Sequence, residues 1–192
     1  VTQNELKNLS PSQTAKCKFQ RIAEELLTQI TDVPKLAVIG STSFWGDSSE
    51  AICEATGRYL AKIDDLVMLT GGVSGIPEAV SRSFTAEKVF HIQPRGCLPW
   101  DYGNNLYGGI DYQERREILA RMASVYLLIE GGPGSEHEAR RADEMGAVVI
   151  PVGKTGGFAE KLYAEMECPN YIPLELWEKL GRREGTAEEI GI

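Results

Sequence analysis

The chain has 192 residues, 42% of them hydrophobic, and a formal net charge of −8. That length suits one well-buried domain, residues 1–192, and is short for two. The acidic balance speaks against a nucleic-acid partner, which needs clustered Lys and Arg: the basic pairs Arg115-Arg116, Arg140-Arg141 and Arg182-Arg183 are each interleaved with acids.

The four cysteines, Cys17, Cys53, Cys97 and Cys168, form no CxxC pair. They read as free thiols in a reducing compartment, and with only His91 and His137 besides, no metal site is expected. No apolar run approaches the ~18 residues that span a bilayer, and no signal peptide is evident, so the expectation is a cytoplasmic protein without a membrane partner.

Residues 1–9 are polar and read as frayed. Ser10-Pro11 reads as an N-cap with a first-turn proline. Phe19, Ile22, Ala23, Leu26, Leu27 and Ile30 recur at helical spacing, so 11–30 is expected as an amphipathic helix stopped by Asp32-Val33-Pro34. It precedes the first strand, within an N-terminal extension of residues 1–34, and is expected to cover a sheet edge or a partner subunit. Residues 35–39 form the first strand, ending in Gly40-Ser41-Thr42-Ser43. This turn is not GxGxxG, which weakens an NAD or FAD reading. Gly40 and Ser41 could line a phosphate or ribose pocket, or belong to an ordinary turn capped by Ser48 or Ser49; both readings stay open. A helix over 49–63 is expected to bury Ile52, Ala55, Tyr59 and Ile63.

Residues 66–70 form a second strand running into Gly71-Gly72-Val73-Ser74-Gly75, a glycine turn that opens a helix over 76–84 with Pro77 in its first turn. Glu78 there is favoured by the helix dipole alone. A short strand at 88–92 precedes 93–111, a stretch without periodicity that reads as a lid or binding loop. Its Trp100, Tyr102 and Tyr107 either stack on a ring-shaped ligand or pack the loop down. A helix over 112–123 carries Arg115 near its start and turns Ile118, Leu119 and Met122 inward. Residues 125–129 form an apolar strand that enters Glu130-Gly131-Gly132-Pro133-Gly134-Ser135 and a further helix. Residues 147–152 form the next strand, closed by Gly153 to Gly157 and a helix over 158–166. Residues 168–173 are loop or edge; 174–180 and 185–189 begin short helices in a C-terminal section of 166–192.

Continuous apolar strands alternating with amphipathic helices imply an α/β, Rossmann-like three-layer fold, a central parallel sheet with helices on both faces. Ligands then bind at the carboxyl ends of the strands, where the turns 71–75, 131–134 and 153–157 all fall. If Ser135 opens the helix after Gly131–Gly134, first-turn N–H groups are free for an oxyanion and Ser135 adds a hydroxyl. Glu138 then either closes a capping box with Ser135 or accepts from a sugar hydroxyl and does acid/base work.

Glu130 to Glu138 resembles the P-G-G-x-G-T-x-x-E signature of the Lonely Guy (LOG) family, proteins often mislabelled as lysine decarboxylases, an activity not expected here. Glu114-Arg115-Arg116 falls where that family has E-R-K, and Thr70 to Ala79 resembles its T-G-G-G-P-G-I-M-E-A loop. The similarity covers about 35–165. It implies a homodimer or higher homo-oligomer that binds a nucleoside 5′-monophosphate and, as a phosphoribohydrolase, cleaves its N-glycosidic bond without a required cofactor. By position, Arg115 and Glu138 would be the catalytic pair. Gly132, Gly134 and Ser135 would hold phosphate, with Gly131, Gly71, Gly72 and Gly75 in the two nucleotide-binding loops. The departures are Glu130 for proline, Ser135 for threonine, and Val73, Ser74 and Pro77 in the other loop; they bear on the substrate more than on the fold. The alternative is a non-catalytic carrier: molybdenum cofactor carrier proteins share these turns and bind a pterin phosphate as cargo.

Overall fold

A computed structural model describes residues 11–182. The expected polar end (1–9), the Ser10 cap and the helix from 185 lie outside the described residues. In chain order the elements are α1 (Pro11–Leu27), β1 (Lys35–Gly40), α2 (Ser49–Leu60), β2 (Val67–Thr70), α3 (Ile76–Arg82), β3 (Val89–Gln93) and β4 (Asn104–Tyr107). They continue with α4 (Tyr112–Leu119), β5 (Val125–Ile129), α5 (Pro133–Glu144), β6 (Val148–Val152), α6 (Gly157–Glu165) and α7 (Leu174–Gly181). The six strands form one sheet in the order β4-β3-β2-β1-β5-β6, and every pairing is parallel. This is the expected α/β, Rossmann-like architecture.

The strands alternate their apolar side chains between two layers, as the two-residue period of a strand requires. Ala37, Ile39, Val67, Leu69, Tyr126 and Leu128 face one core, closed by Ala23 and Leu26 of α1, Ile118 and Leu119 of α4, Ala139 and Ala142 of α5, and Phe158 of α6. Val38, Met68 and Ile129 face the other, with Cys53 of α2, and Ile76 and Val80 of α3. Helix α1 therefore covers a sheet face, not an edge. It is tied to α4 by Lys18 Nζ on Glu114 Oε1 at 2.5 Å. Pro151 has no amide hydrogen, and it sits in β6, an edge strand, where the sheet tolerates that loss.

Two expectations are corrected. The buried face of helix α2 runs through Ile52, Cys53, Ala55 and Thr56 and leaves Tyr59 outside it, and the helix ends at Leu60 before Ile63, so both Tyr59 and Ile63 are exposed. The 93–111 stretch is not all loop: Asn104–Tyr107 forms β4, which pairs with β3. Asn104 and Asn105 hide this strand from any hydrophobic pattern, while their side chains hold it. Asn105 Oδ1 accepts from Gln93 Nε2 (2.7 Å) and from the Trp100 N–H (2.9 Å), and Asn105 Nδ2 donates to the Trp100 carbonyl (3.1 Å).

Candidate functional site

The strand order changes direction between β1 and β5, because β1 continues through β2 on one side and β5 through β6 on the other. The turns leaving those two strands diverge there, and a crevice opens at their carboxyl ends. A cleft of ≈ 680 Å³ occupies that place. Gly40, Ser41, Thr42 and Trp45 line it from the β1–α2 loop, and Gly72, Val73 and Ser74 from the β2–α3 turn. Trp100 comes from the β3–β4 loop, Tyr112, Arg115 and Arg116 from α4, and Gly132 to Ser135 with Glu138 from the start of α5.

Helix α5 begins at Pro133, ahead of the Ser135 start expected from the motif. Gly132 is its N-cap and Pro133 its first residue, where a missing N–H costs nothing. The first intrahelical bond runs from the Glu136 N–H to the Gly132 carbonyl at 2.9 Å, so the N–H groups of Gly134 and Ser135 have no helical acceptor. They open onto the cleft with the positive end of the helix dipole behind them. The guanidinium of Arg116 packs beside Gly134, with Nη2 2.9 Å from where a Cβ would sit. Two amides, a dipole and a cation thus converge on one spot, which suits a dianionic phosphate monoester. The Ser135 hydroxyl is not among these donors. It donates to the Gly40 carbonyl at 2.8 Å and ties the two turns together.

One helical turn deeper lies Glu138. The capping box does not form: Ser135 and Glu138 are both inside α5, and Glu138 instead accepts from Arg115 Nη1. Arg115 and Glu138 are 4% and 6% exposed. A charge at that depth is tolerated only when it is paired and hydrogen-bonded, which each gives the other. Arg115 Nε, also buried, has no partner among the described residues. The guanidinium reaches Glu138 by passing against Gly71, where any Cβ would collide with Arg115 Nη1.

Among the residues expected at the site, Gly40, Ser41, Gly72, Gly132, Gly134, Ser135, Arg115 and Glu138 line the cleft, whereas Gly71, Gly75 and Gly131 do not. Those three lie behind it. Gly71 makes room for Arg115, Gly75 (φ 77°) packs on the Ser41–Ser43 backbone, and Gly131 (φ 105°) packs on Ser135. The turn after β6 points elsewhere. The first amides of α6, from Phe158 and Ala159, donate to the carbonyls of Gly131 (2.8 Å) and Glu130 (2.9 Å), so this helix end braces the β5 turn. The aromatic loop is used both ways: Trp100 lines the cleft, while Tyr102 packs inward with its hydroxyl 2.6 Å from Ser81 Oγ and Arg82 over its ring. Sequence reasoning missed Trp45 and Tyr112 as walls and Arg116 as the cation beside the start of α5. The doublet Arg115-Arg116 was the one available signal for the last.

The position that the LOG-type motif fills with proline behaves least like the motif. Glu130 is 0% exposed, takes φ +55°, and turns its carboxylate away from the cleft's anion end into the β1–α2 loop. It accepts from Ser41 Oγ, Ser49 Oγ and the Trp45 N–H. A negative charge beside an anion seat would repel it; here the charge is occupied by three donors of a neighbouring loop. Cys53 lies behind this cluster, and burial, reinforced by Glu130, pushes its thiol up to about 12, so it stays protonated and inert. Among the described residues no three His, Cys, Asp or Glu side chains are grouped to hold a metal ion, and no helix is long and apolar enough to cross a membrane.

The sequence model of the SLOG cluster4 family (LDcluster4) matches residues 33–173. No curated protein matches the chain. Among solved structures, the X-ray structure of TM1055 is 26% identical with a TM-score of 0.60, and the match covers 75% of this chain and 88% of that one. The molybdenum cofactor carrier protein MCP from Chlamydomonas reinhardtii is 20% identical with a TM-score of 0.54, covering 69% and 86%. DNA processing protein A from Helicobacter pylori, whose structure concerns single-stranded DNA binding, is 17% identical with a TM-score of 0.55, covering 80% and 83%. The last two likenesses are likenesses of fold.

Proposed function

The chain belongs to the SLOG cluster4 family, and on that premise we propose that its switch-point cleft binds a nucleoside 5′-monophosphate and hydrolyses the N-glycosidic bond, as LOG-type phosphoribohydrolases do. The observation that carries this reading is the buried Arg115–Glu138 pair set one helical turn below the α5 N-terminus. A phosphate seated on the Gly134 and Ser135 amides, with Arg116 alongside, brings the attached ribose down toward Glu138. Glycosidic cleavage develops positive charge at C1′ and the ring oxygen, which a nearby carboxylate stabilises. The C1′–N bond breaks with its electron pair going to the base, water adds to C1′, and Glu138 carries the water's proton toward the leaving base. The products are base and ribose 5-phosphate. Arg115 orients Glu138 and offsets its repulsion from the phosphate. The same reading carries a homodimer or higher homo-oligomer, with no metal in the reaction.

Incubation with AMP and with cytokinin-type monophosphates should release free base, and Glu138→Gln should lower that rate by at least about 100-fold while phosphate binding persists. No release at high protein concentration would sink the hydrolase. A second reading is a pterin phosphate carrier. Trp45, Trp100 and Tyr112 around the cleft favour it, since they suit a pterin as well as a purine. Saturable protection of molybdenum cofactor from oxidation, without turnover of AMP, would select it. A polynucleotide fits less well, because of the two cleft arginines Arg115 is already neutralised by Glu138.

A further inference from the structure

The geometry points to Glu130 as the positioning residue of the cleft: its buried carboxylate clamps the Ser41–Ser49 loop to the end of β5 and so stands the Trp45 indole beside the anion seat. This rests on the nucleotide reading only for the identity of the ligand.

Every polar group of Glu130 is engaged. Its N–H donates to Thr155 Oγ1 at 2.8 Å, and its carbonyl accepts from the Ala159 N–H at 2.9 Å. One carboxylate oxygen accepts from Ser41 Oγ. The other accepts from Ser49 Oγ and from the Trp45 N–H at 3.1 Å. Ser49 Oγ in turn accepts from the Gly46 N–H at 3.1 Å, which extends the clamp to the middle of the loop. Among the described residues no Lys, Arg or His lies within ion-pair distance of Glu130, so these donors alone hold a fully buried charge. The backbone is costly as well. A non-glycine residue at φ +55° is strained, and such strain persists where the surroundings over-determine it.

What the clamp positions is Trp45. Its indole is 54% exposed, yet the ring edge lies 3.8 Å from where a Gly132 Cβ would be, and a Cβ on Gly157 would come within 2.5 Å of Cζ3. The indole therefore lies across two glycine turns, against the N-cap of α5. Standing there, it shields the Gly134 and Ser135 amides on one side and strengthens their hold on an anion by excluding water. None of this touches Arg115 or Glu138. Glu130 thus acts on binding through the loop, not on the chemical step. Proline cannot replace it, because its ring forbids φ +55°.

The test is carried out in a Trp100→Phe/Trp177→Phe background, where Trp45 is the one remaining tryptophan. There acrylamide quenching reports whether the indole stays packed and a thermal melt reports folding, while calorimetry on the same substitutions in the chain that keeps Trp100, a wall of the cleft, reports AMP affinity. Glu130→Gly accepts φ +55° without strain, which offsets part of the cost of leaving Ser41 and Ser49 without their acceptor, so it should still unfold cooperatively, at a lower temperature than the parent. Its Trp45 should nevertheless become more quenchable, and its AMP affinity should fall about tenfold, equivalent to ~1.4 kcal/mol. Ser49→Ala, which removes one donor at a residue outside the cleft, should move both readouts the same way by less. Glu130→Gln, which keeps an acceptor, should recover part of the loss. A Glu130→Gly protein with parental quenching and parental affinity overturns the proposal. Should Glu130→Gly not fold, parental quenching in Ser49→Ala overturns it instead. Absence of AMP binding in the chain that keeps all three tryptophans would fail the nucleotide reading, and the quenching comparison would still decide the clamp.

Discussion

Arg115 and Glu138 illustrate how a buried pair is worth more as a unit than either half. Removing Arg115 leaves a carboxylate in a site with almost no solvent, and breaking such pairs typically costs about 3–5 kcal/mol. Arg115→Met should therefore lower unfolding free energy by roughly that amount in denaturant titration; a loss under about 1 kcal/mol would mean that water or another cation reaches Glu138. His91 makes the complementary case, a buried base kept neutral. Its Nδ1 lies 2.7 Å from Thr70 Oγ1, which also accepts the Gly72 N–H, while Nε2 has no partner among the described residues. Burial, opposed in part by the nearby Tyr102 backbone, which favours the protonated ring, lowers its pKa to about 4. Between pH 6.5 and 4 the unfolded chain binds a proton here and the folded one does not. The stability His91 contributes is thus complete above pH 6.5 and lost as pH falls through 4, on the order of 2–3 kcal/mol. The carboxylates titrate in the same range, so the informative measurement is a comparison. His91→Gln should melt with a shallower decline between pH 6.5 and 4.5 than the parent, and parallel declines would refute the assignment.

At the level of elements, β4 shows a strand made by side chains rather than by apolar alternation. The three bonds of Asn105 hold β3, β4 and the backbone at Trp100 together, and Trp100 is a wall of the cleft. Asn105→Ala should cost about 1–3 kcal/mol, since Gln93 Nε2 is left buried without its acceptor. The Trp100 amide should exchange hydrogen faster while the amides of β1 and β5 keep their protection; uniform protection would show that the loop is held by something else. This also marks where the sequence was legible. β1, β2, β5 and β6 are apolar runs buried on both faces, and periodicity finds such strands. The cleft followed, because glycine turns after parallel strands must share one edge. β4 was hidden because its stability comes from amide side chains whose partners are 5 to 17 residues away. The role of Glu130 was hidden for a related reason. Its donors lie 81 to 89 residues back in the chain, where no local pattern connects them to it.

Across the whole molecule, the cores on the two faces of the sheet are not equally local. The face under α1 is closed by a segment outside the family-matched residues 33–173, yet Ala23, Leu26 and Ile30 are buried core residues like those within that span. α1 packs on α4, the helix that presents Arg115 and Arg116 to the cleft. Leu26 reaches within 2.9 Å of where a Gly108 Cβ would sit, just ahead of the turn that starts α4. Lys18 adds a bond to Glu114, whose own carboxylate accepts the Ile110 N–H at 3.2 Å, and whose N–H is capped by Asp111 Oδ1 at 2.8 Å. The start of α4 is therefore held from below by α1 and from within by its cap, and the cleft arginines inherit that placement. Leu26→Ala should destabilise the fold by about 2–5 kcal/mol, as cavity-forming core substitutions do. It should also weaken AMP binding although Leu26 touches no cleft residue, because a loosened α4 spreads the position of Arg116. Lys18→Ala, an exposed pair, should cost under about 1 kcal/mol and leave binding unchanged. If Leu26→Ala loses stability while AMP affinity at a temperature well below its melt stays at the parental value, α4 is positioned by its cap and the sheet alone, and α1 serves only to cover the core.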